Sequence, residues 1–268
     1  MDRFDSIFIF SDYDNTLTSL GKKPSDSDYI NPKNIEAVKR FVQKGGTFVM
    51  ATGRNPKEVV WLKEIMPIAD EFVCINGSFY SIPMSKVIKS NFLDDSVVGV
   101  LKKITTERKL KHFRIVDANL NHNEWHENST QTPMQVIESS QQPFYKITFS
   151  GNRDVEYSNE LLQYLKDNFG SDYMVEASFV DFLELYSKTA GKHTGVIKYA
   201  QEHGAKHFIC VGDQENDIKM LKNAEIAVCV GDGTTQTKNV AQYICAPSVD
   251  GAIADVIRML ENDEIKFD

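Results

Sequence analysis

The sequence predicts an α/β protein in which a parallel-sheet core is interrupted by an α+β insert. Three observations carry this. Short apolar runs alternate with helix-period segments near both ends of the chain. That rhythm breaks near Ile82 and resumes past Lys188. The core runs end in acids, hydroxyls or amides, the residue types a parallel sheet presents at its ligand-binding edge.

The elements follow in order. Ile7–Phe10 is a buried strand. Asn31–Lys44 is a helix, with Ile35, Val38, Phe41 and Val42 at helical spacing and Gly45-Gly46 as its stop. Thr47–Ala51 is a strand ending in Thr52-Gly53-Arg54, Pro56–Met66 a helix, and Glu71–Ile75 a strand ending at the Asn76-Gly77 turn. The insert reads as a helix over Leu93–Arg108, strands over His112–Val116 and Pro143–Ser150, a helix over Val155–Phe169, and strands over Tyr173–Ala177 and Phe182–Tyr186. The polar stretch Asn119–Gln142 reads mostly as loop. The core then returns with a helix over Thr194–Glu202, a strand over Phe208–Val211, a helix start over Asp217–Lys222, a strand over Ile226–Val230 and a last helix over Ala252–Leu260. This predicts a discontinuous core, residues 1–81 and 190–268, around an insert over 82–189, within ordinary domain sizes.

Composition narrows the function classes. In 268 residues 41% are apolar, enough for a core, and the net charge of −8 with no long basic run argues against nucleic acid. No apolar run approaches the ~20 residues of a membrane span. The N-terminal Met-Asp-Arg-Phe-Asp does not read as a leader. Cys74, Cys210, Cys229 and Cys245 are widely spaced, three of them in apolar runs, and read as reduced core thiols of a cytoplasmic protein.

Chemistry gathers at the strand ends. The segment "IFIFSDYDNTLT" delivers Asp12 and Asp14, the second core strand Thr52, and "GDQEND" Asp213, Asn216 and Asp217; "AGKHTG" adds Lys192 just after the insert. Acids converging on one edge repel each other unless a cation joins them. Oxygen donors with no His or Cys among them favour Mg²⁺. Mg²⁺, a lysine and a threonine hydroxyl suit a phosphate.

These residues carry a resemblance. "DYDNTLT", "ATGR", Lys192 and "GDQENDIKML", in that order, resemble the four motifs of the haloacid dehalogenase (HAD) superfamily. The large insert between the second and third resembles the Cof-type, subfamily IIB phosphatases. The resemblance implies a Rossmann-like core with an inserted cap, and a Mg²⁺-dependent phosphatase acting on small phosphorylated metabolites, sugar phosphates above all. It implies Asp12 as the nucleophile that forms an aspartyl-phosphate and Asp14 as general acid and base. It implies Thr52, Gly53, Lys192 and Asn216 around phosphate, and Asp12, the Asp14 carbonyl, Asp213 and Asp217 around the metal, Asp217 directly or through a water. A monomer or small homo-oligomer is expected. His193 and Asp232 depart from the usual pattern; Asp232 adds a negative charge near the site.

Other readings stand beside this one. Phosphotransfer to a sugar phosphate, as in a mutase, uses the same motifs. A receiver-like phospho-acceptor module would lack both Asp14 and the insert. Arg54 reads as a salt-bridge partner of an acid, and Trp125, Phe144 and Tyr145 as packing of the insert. "HNEWH" (His122 to His126) has its glutamate one place too late for H-E-x-x-H and does not read as a helix, so it is taken as a surface histidine pair. "GDGTTQ" lacks the third glycine of a dinucleotide fingerprint.

Overall fold

The computed structural model describes residues 3–82, 86–179 and 181–267. Along the chain, β1 (Ile7–Ser11) leads through a tight turn to α1 (Pro32–Gln43), β2 (Thr47–Met50), α2 (Pro56–Val59), β3 (Phe72–Cys74), β4 (Phe79–Ile82) and β5 (Lys86–Ser90). Next come α3 (Val97–Glu107), β6 (His112–Val116), β7 (His122–His126), α4 (Pro133–Ser139), β8 (Lys146–Ser150), α5 (Val155–Phe169), β9 (Tyr173–Phe179) and β10 (Phe182–Ser187). The chain closes with α6 (Lys192–Glu202), β11 (His207–Gly212), α7 (Ile218–Lys222), β12 (Ile226–Cys229), α8 (Thr235–Lys238), β13 (Tyr243–Ile244) and α9 (Ala252–Glu261).

The chain divides into two compact units, Met1–Ile88 with Gly191–Asp268, and Lys89–Ala190. Pro83–Ser85, just past the expected junction at Ile82, lie outside the described residues.

The first unit is built on a parallel sheet in the order β13–β12–β11–β1–β2. β3 joins alongside β2 through the parallel Ala51–Val73 bridge. Alternation sends Phe8 and Phe10 to one face, where they pack with Val49, Ala51, Val73 and Cys210 against Val196, Tyr199 and Ala200 of α6 and Met220 and Leu221 of α7. α1 and α9 pack on each other; the Asn34 side chain joins them by accepting the Ala254 amide. β1 is reached from β2 on one side and from β11 on the other, so the order reverses at β1. A crevice at such a point is where open α/β sheets bind ligands.

The second unit is an antiparallel sheet, β7–β6–β8–β10–β9. One face carries Phe113, Ile115, Ile147, Phe149, Leu183 and Leu185, which bury against Leu101 and Ile104 of α3 and Leu161 and Leu165 of α5. Each unit therefore has its own apolar core. Phe144 and Tyr145 are buried and Trp125 packs against Phe113, with ring centroids 5.8 Å apart.

The α/β class holds. The clearest difference from the sequence reading lies in residues 119–142, which hold β7 and α4 rather than mostly loop. β7 is polar, and only its pairing with β6 makes it a strand. α4 had a legible start: Thr132 and Gln135 form a reciprocal cap around Pro133 at the first helical position. All four cysteines are buried free thiols. Among the described residues no helix is long and apolar enough to cross a membrane.

Candidate active site

Asp12 directly follows β1, and its amide donates to the Val211 carbonyl of β11 at 3.0 Å. Two neighbouring strand ends are thereby locked together at the reversal point. Asp12 is buried, as are Asp213 and Asp217 just past β11. Donor oxygens of these three acids all lie within 4.8 Å of one another. Lys192, the first residue of α6, reaches between them, with its Nζ 2.8 Å from Asp12 Oδ1 and 2.7 Å from Asp217 Oδ1.

Burial in an acidic cluster sets the protonation. Asp12 is pushed well above the usual carboxylate range by burial first and then by Asp217, with Lys192 opposing. Asp213 is pushed up to about 7 by burial and by Asp217, opposed by the Thr16 hydroxyl and by Lys192. Burial pulls Lys192 down, but Asp12 and Asp217 outweigh it and hold the ammonium charged. Three buried carboxylates face one ammonium, which leaves unneutralised negative charge.

The donor set fits a hard divalent cation: all oxygen, all buried, mutually close. Asp213 Oδ1 accepts from Thr16 Oγ1 at 3.0 Å. Asp217 is already committed, because Oδ1 takes Lys192 and Oδ2 takes the amides of Asp213 and Gln214 at 3.0 and 3.2 Å.

Asp14 has different company. Arg54 grips it in a two-pronged pair, Nε to Oδ2 at 2.9 Å and an Nη to Oδ1 at 2.7 Å. The salt bridge expected for Arg54 is thus to Asp14, which sits outside the buried trio. Thr52 is fully buried, its amide on Val73 and its Oγ1 accepting the Arg54 amide at 3.0 Å. Gly53 lies between them. Asn216 stands between Asp213 and Asp217, and its buried Oδ1 has no hydrogen-bond partner. The structure therefore brings Asp12, Lys192, Asp213 and Asp217 into one cluster and puts Asp14 with Arg54 on the β1 turn.

The family model described as haloacid dehalogenase-like hydrolase matches residues 9–257. The chain belongs to the haloacid dehalogenase-like hydrolases. It is 26% identical over 228 residues to a putative phosphatase of Buchnera aphidicola subsp. Baizongia pistaciae, covering 80% of this chain and 82% of the relative. It is 22% identical over 249 residues, 92% of each chain, to the 5-amino-6-(5-phospho-D-ribitylamino)uracil phosphatase YcsE of Bacillus subtilis. A solved structure described as the HAD subclass IIB sugar phosphatase BT4131 superposes with a TM-score of 0.76 at 19% identity, covering 96% of this chain and 99% of that one. The expected family and its hydrolase class hold, and the two relatives and the subclass IIB structure that the chain resembles carry phosphatase in their names.

Within this haloacid dehalogenase-like chain the two sequence departures have local explanations. The His193 ring packs against Gly191, 2.5 Å from where a Cβ on that glycine would stand. Asp232 accepts the Ser248 amide at 3.0 Å and its hydroxyl at 2.6 Å, so its charge ties one loop to another. Sequence reasoning passed over Thr16, which sits on Asp213, although it lies inside the first motif.

Proposed function

We propose that this protein hydrolyses small phosphomonoesters, sugar phosphates foremost, with Mg²⁺ as cofactor and through an aspartyl-phosphate. The observation that carries the reading is Lys192 joined to both Asp12 and Asp217, beside Asp213, in one buried cluster.

Asp12 attacks phosphorus, and its carboxylate takes the phosphoryl group while the leaving oxygen departs. Lys192 offsets the charge of Asp12 and then faces the phosphoryl oxygens. Thr52 already accepts the Arg54 amide, so its own proton is left for a phosphoryl oxygen. The Gly53 backbone and Asn216 complete the phosphate cradle. Asp12, the Asp14 carbonyl and Asp213 would hold Mg²⁺, which when bound would supply positive charge to offset that of the phosphoryl group. Asp217, whose oxygens accept from Lys192 and from the amides of Asp213 and Gln214, would support the ion by fixing the loop that carries Asp213. Asp14 protonates the leaving group and then activates water, and Arg54 orients it between steps.

The name of the subclass IIB neighbour and that of the ribitylamino relative both support a phosphorylated polyol or sugar as substrate. The buried free thiols support a cytoplasmic setting.

The test is phosphate release from a panel of phosphorylated metabolites, with Mg²⁺ and with chelator. Sugar phosphates turn over with Mg²⁺ and stop without it, and Asp12→Asn lowers kcat by about 10³-fold or more. Transfer of the phosphoryl group to an added sugar phosphate, in place of release, would make the enzyme a mutase.

A further inference from the structure

The second unit carries a cluster that this reaction does not use. "HNEWH" is strand β7, so Glu124 and His126, two residues apart, project from one face. In the antiparallel register His112 stands directly opposite His126, and Arg114 opposite Glu124. Donor atoms of His112, Glu124 and His126 all lie within 4.8 Å of one another. Glu124 Oε2 is 3.8 Å from His112 Nε2 and 3.5 Å from His126 Nε2. Ligands on a tetrahedral ion at ~2.0–2.1 Å stand about 3.4 Å apart, so small shifts close the set.

We propose that His112, Glu124 and His126 form a second metal site, for a divalent transition ion of the zinc type.

An independent observation points to a ligand here. His112 is only 5% exposed, and its Nε2 has no hydrogen-bond partner. A buried polar nitrogen left unpaired is costly, and a coordinated cation satisfies it. Arg114 Nε lies 2.5 Å from Glu124 Oε1 as an ion pair that lacks hydrogen-bond geometry, and Glu124 Oε2 is the oxygen nearest the imidazoles. The two rings stack at 4.2 Å with 9° between their planes. Lone pairs of parallel rings do not converge, so binding must turn one ring. His126, half exposed, is the ring with room to turn. The histidine–carboxylate pairs His203–Glu71 and His207–Glu225 make the contrast, because among the described residues neither gathers a third ligand.

Two nitrogens and one oxygen select differently from the all-oxygen cluster around Asp12, and three ligands leave a position open. β7 is an edge strand, and the ion would pin it to β6.

The test is a titration of the full-length enzyme in saturating Mg²⁺ with Co²⁺, followed by visible absorption, then with Zn²⁺ as competitor. One equivalent of Co²⁺ should give a ligand-field spectrum that Zn²⁺ bleaches. Second-sphere losses alone cost ~10–100-fold in metal affinity, so His126→Ala and Glu124→Gln should each weaken binding at least about tenfold. His126 is exposed enough that its variant should keep the native circular dichroism. His207→Ala and Asp213→Asn should leave the Co²⁺ titration unchanged. No Co²⁺ binding over Mg²⁺, binding that survives both β7 substitutions, or binding lost in Asp213→Asn would each overturn the proposal.

Discussion

Lys192 serves two acids with one charge. It bridges Asp12 and Asp217, so it both restrains the proposed nucleophile and fixes the loop that carries Asp213. Asp213 shows what the cluster costs without a cation. Its pKa stands at about 7, above the ordinary 3.8, so the metal-free folded protein keeps a proton that the unfolded chain releases. That contribution to stability is present below about pH 4 and is lost as pH rises through 7. A divalent cation replaces the proton. Mg²⁺ should therefore raise Tm more at pH 8 than at pH 5.5, and equal shifts in thermal denaturation would contradict this. Arg54 invites a second measurement. Its fork holds both oxygens of Asp14, and lysine cannot reproduce two parallel bonds. Arg54→Lys should lower kcat on sugar phosphates by up to about 10²-fold, within what acid–base help supplies. It should cost less on p-nitrophenyl phosphate, whose leaving group needs little protonation. Equal losses would separate Arg54 from Asp14's acid–base work.

At the scale of elements, the turn after β11 is the tightest constraint. A Cβ on Gly212 would stand 2.6 Å from both Cβ and Cγ of Asp217. The missing side chain lets Asp217 fold back onto the amides of Asp213 and Gln214. Gly212→Ala should displace Asp217, and with it Lys192. Misplacement of that order costs about 10²-fold in rate, with the fold kept by circular dichroism. A similar closeness joins the turns at Asn76-Gly77 and Gly191, where a Cβ on Gly77, at φ +77°, would meet the Gly191 carbonyl oxygen at 2.2 Å. In the second unit, removing the Thr132 cap of α4 with Thr132→Ala should cost about 1 kcal/mol, read as a lower denaturation midpoint.

At the scale of the molecule, each unit buries its own apolar cluster, Phe8, Phe10 and Val49 in one, Phe113, Ile147 and Leu185 in the other. The catalytic candidates all lie in the unit Met1–Ile88 with Gly191–Asp268. They contact phosphate and metal under the proposed function, and we propose that discrimination among leaving groups depends on Lys89–Ala190. Replacing this unit by a short linker should spare some hydrolysis of p-nitrophenyl phosphate and erase the ranking among metabolites. A truncated enzyme that folded and kept the same ranking would refute the assignment.

The sequence by itself determined the α/β class, the family and the cluster of Asp12, Lys192, Asp213 and Asp217. The strands β1 and β11 end just before Asp12 and before Asp213 and Asp217, Lys192 opens the helix that follows the insert, and strand ends of a parallel sheet meet along one edge. It also favoured an acid as the partner of Arg54. Only the tertiary structure decided which acid, because Asp14 turns away from the buried trio once β1 ends. It alone decided that Asp217 is saturated by Lys192 and two amides, a matter of hydrogen-bond geometry that spacing does not carry. β7 was illegible for a related reason. Its residues are polar, so its conformation comes from pairing with β6 rather than from its own period. That same pairing sets His112 opposite His126, with 13 residues between them along the chain, a juxtaposition that depends on register and not on motif.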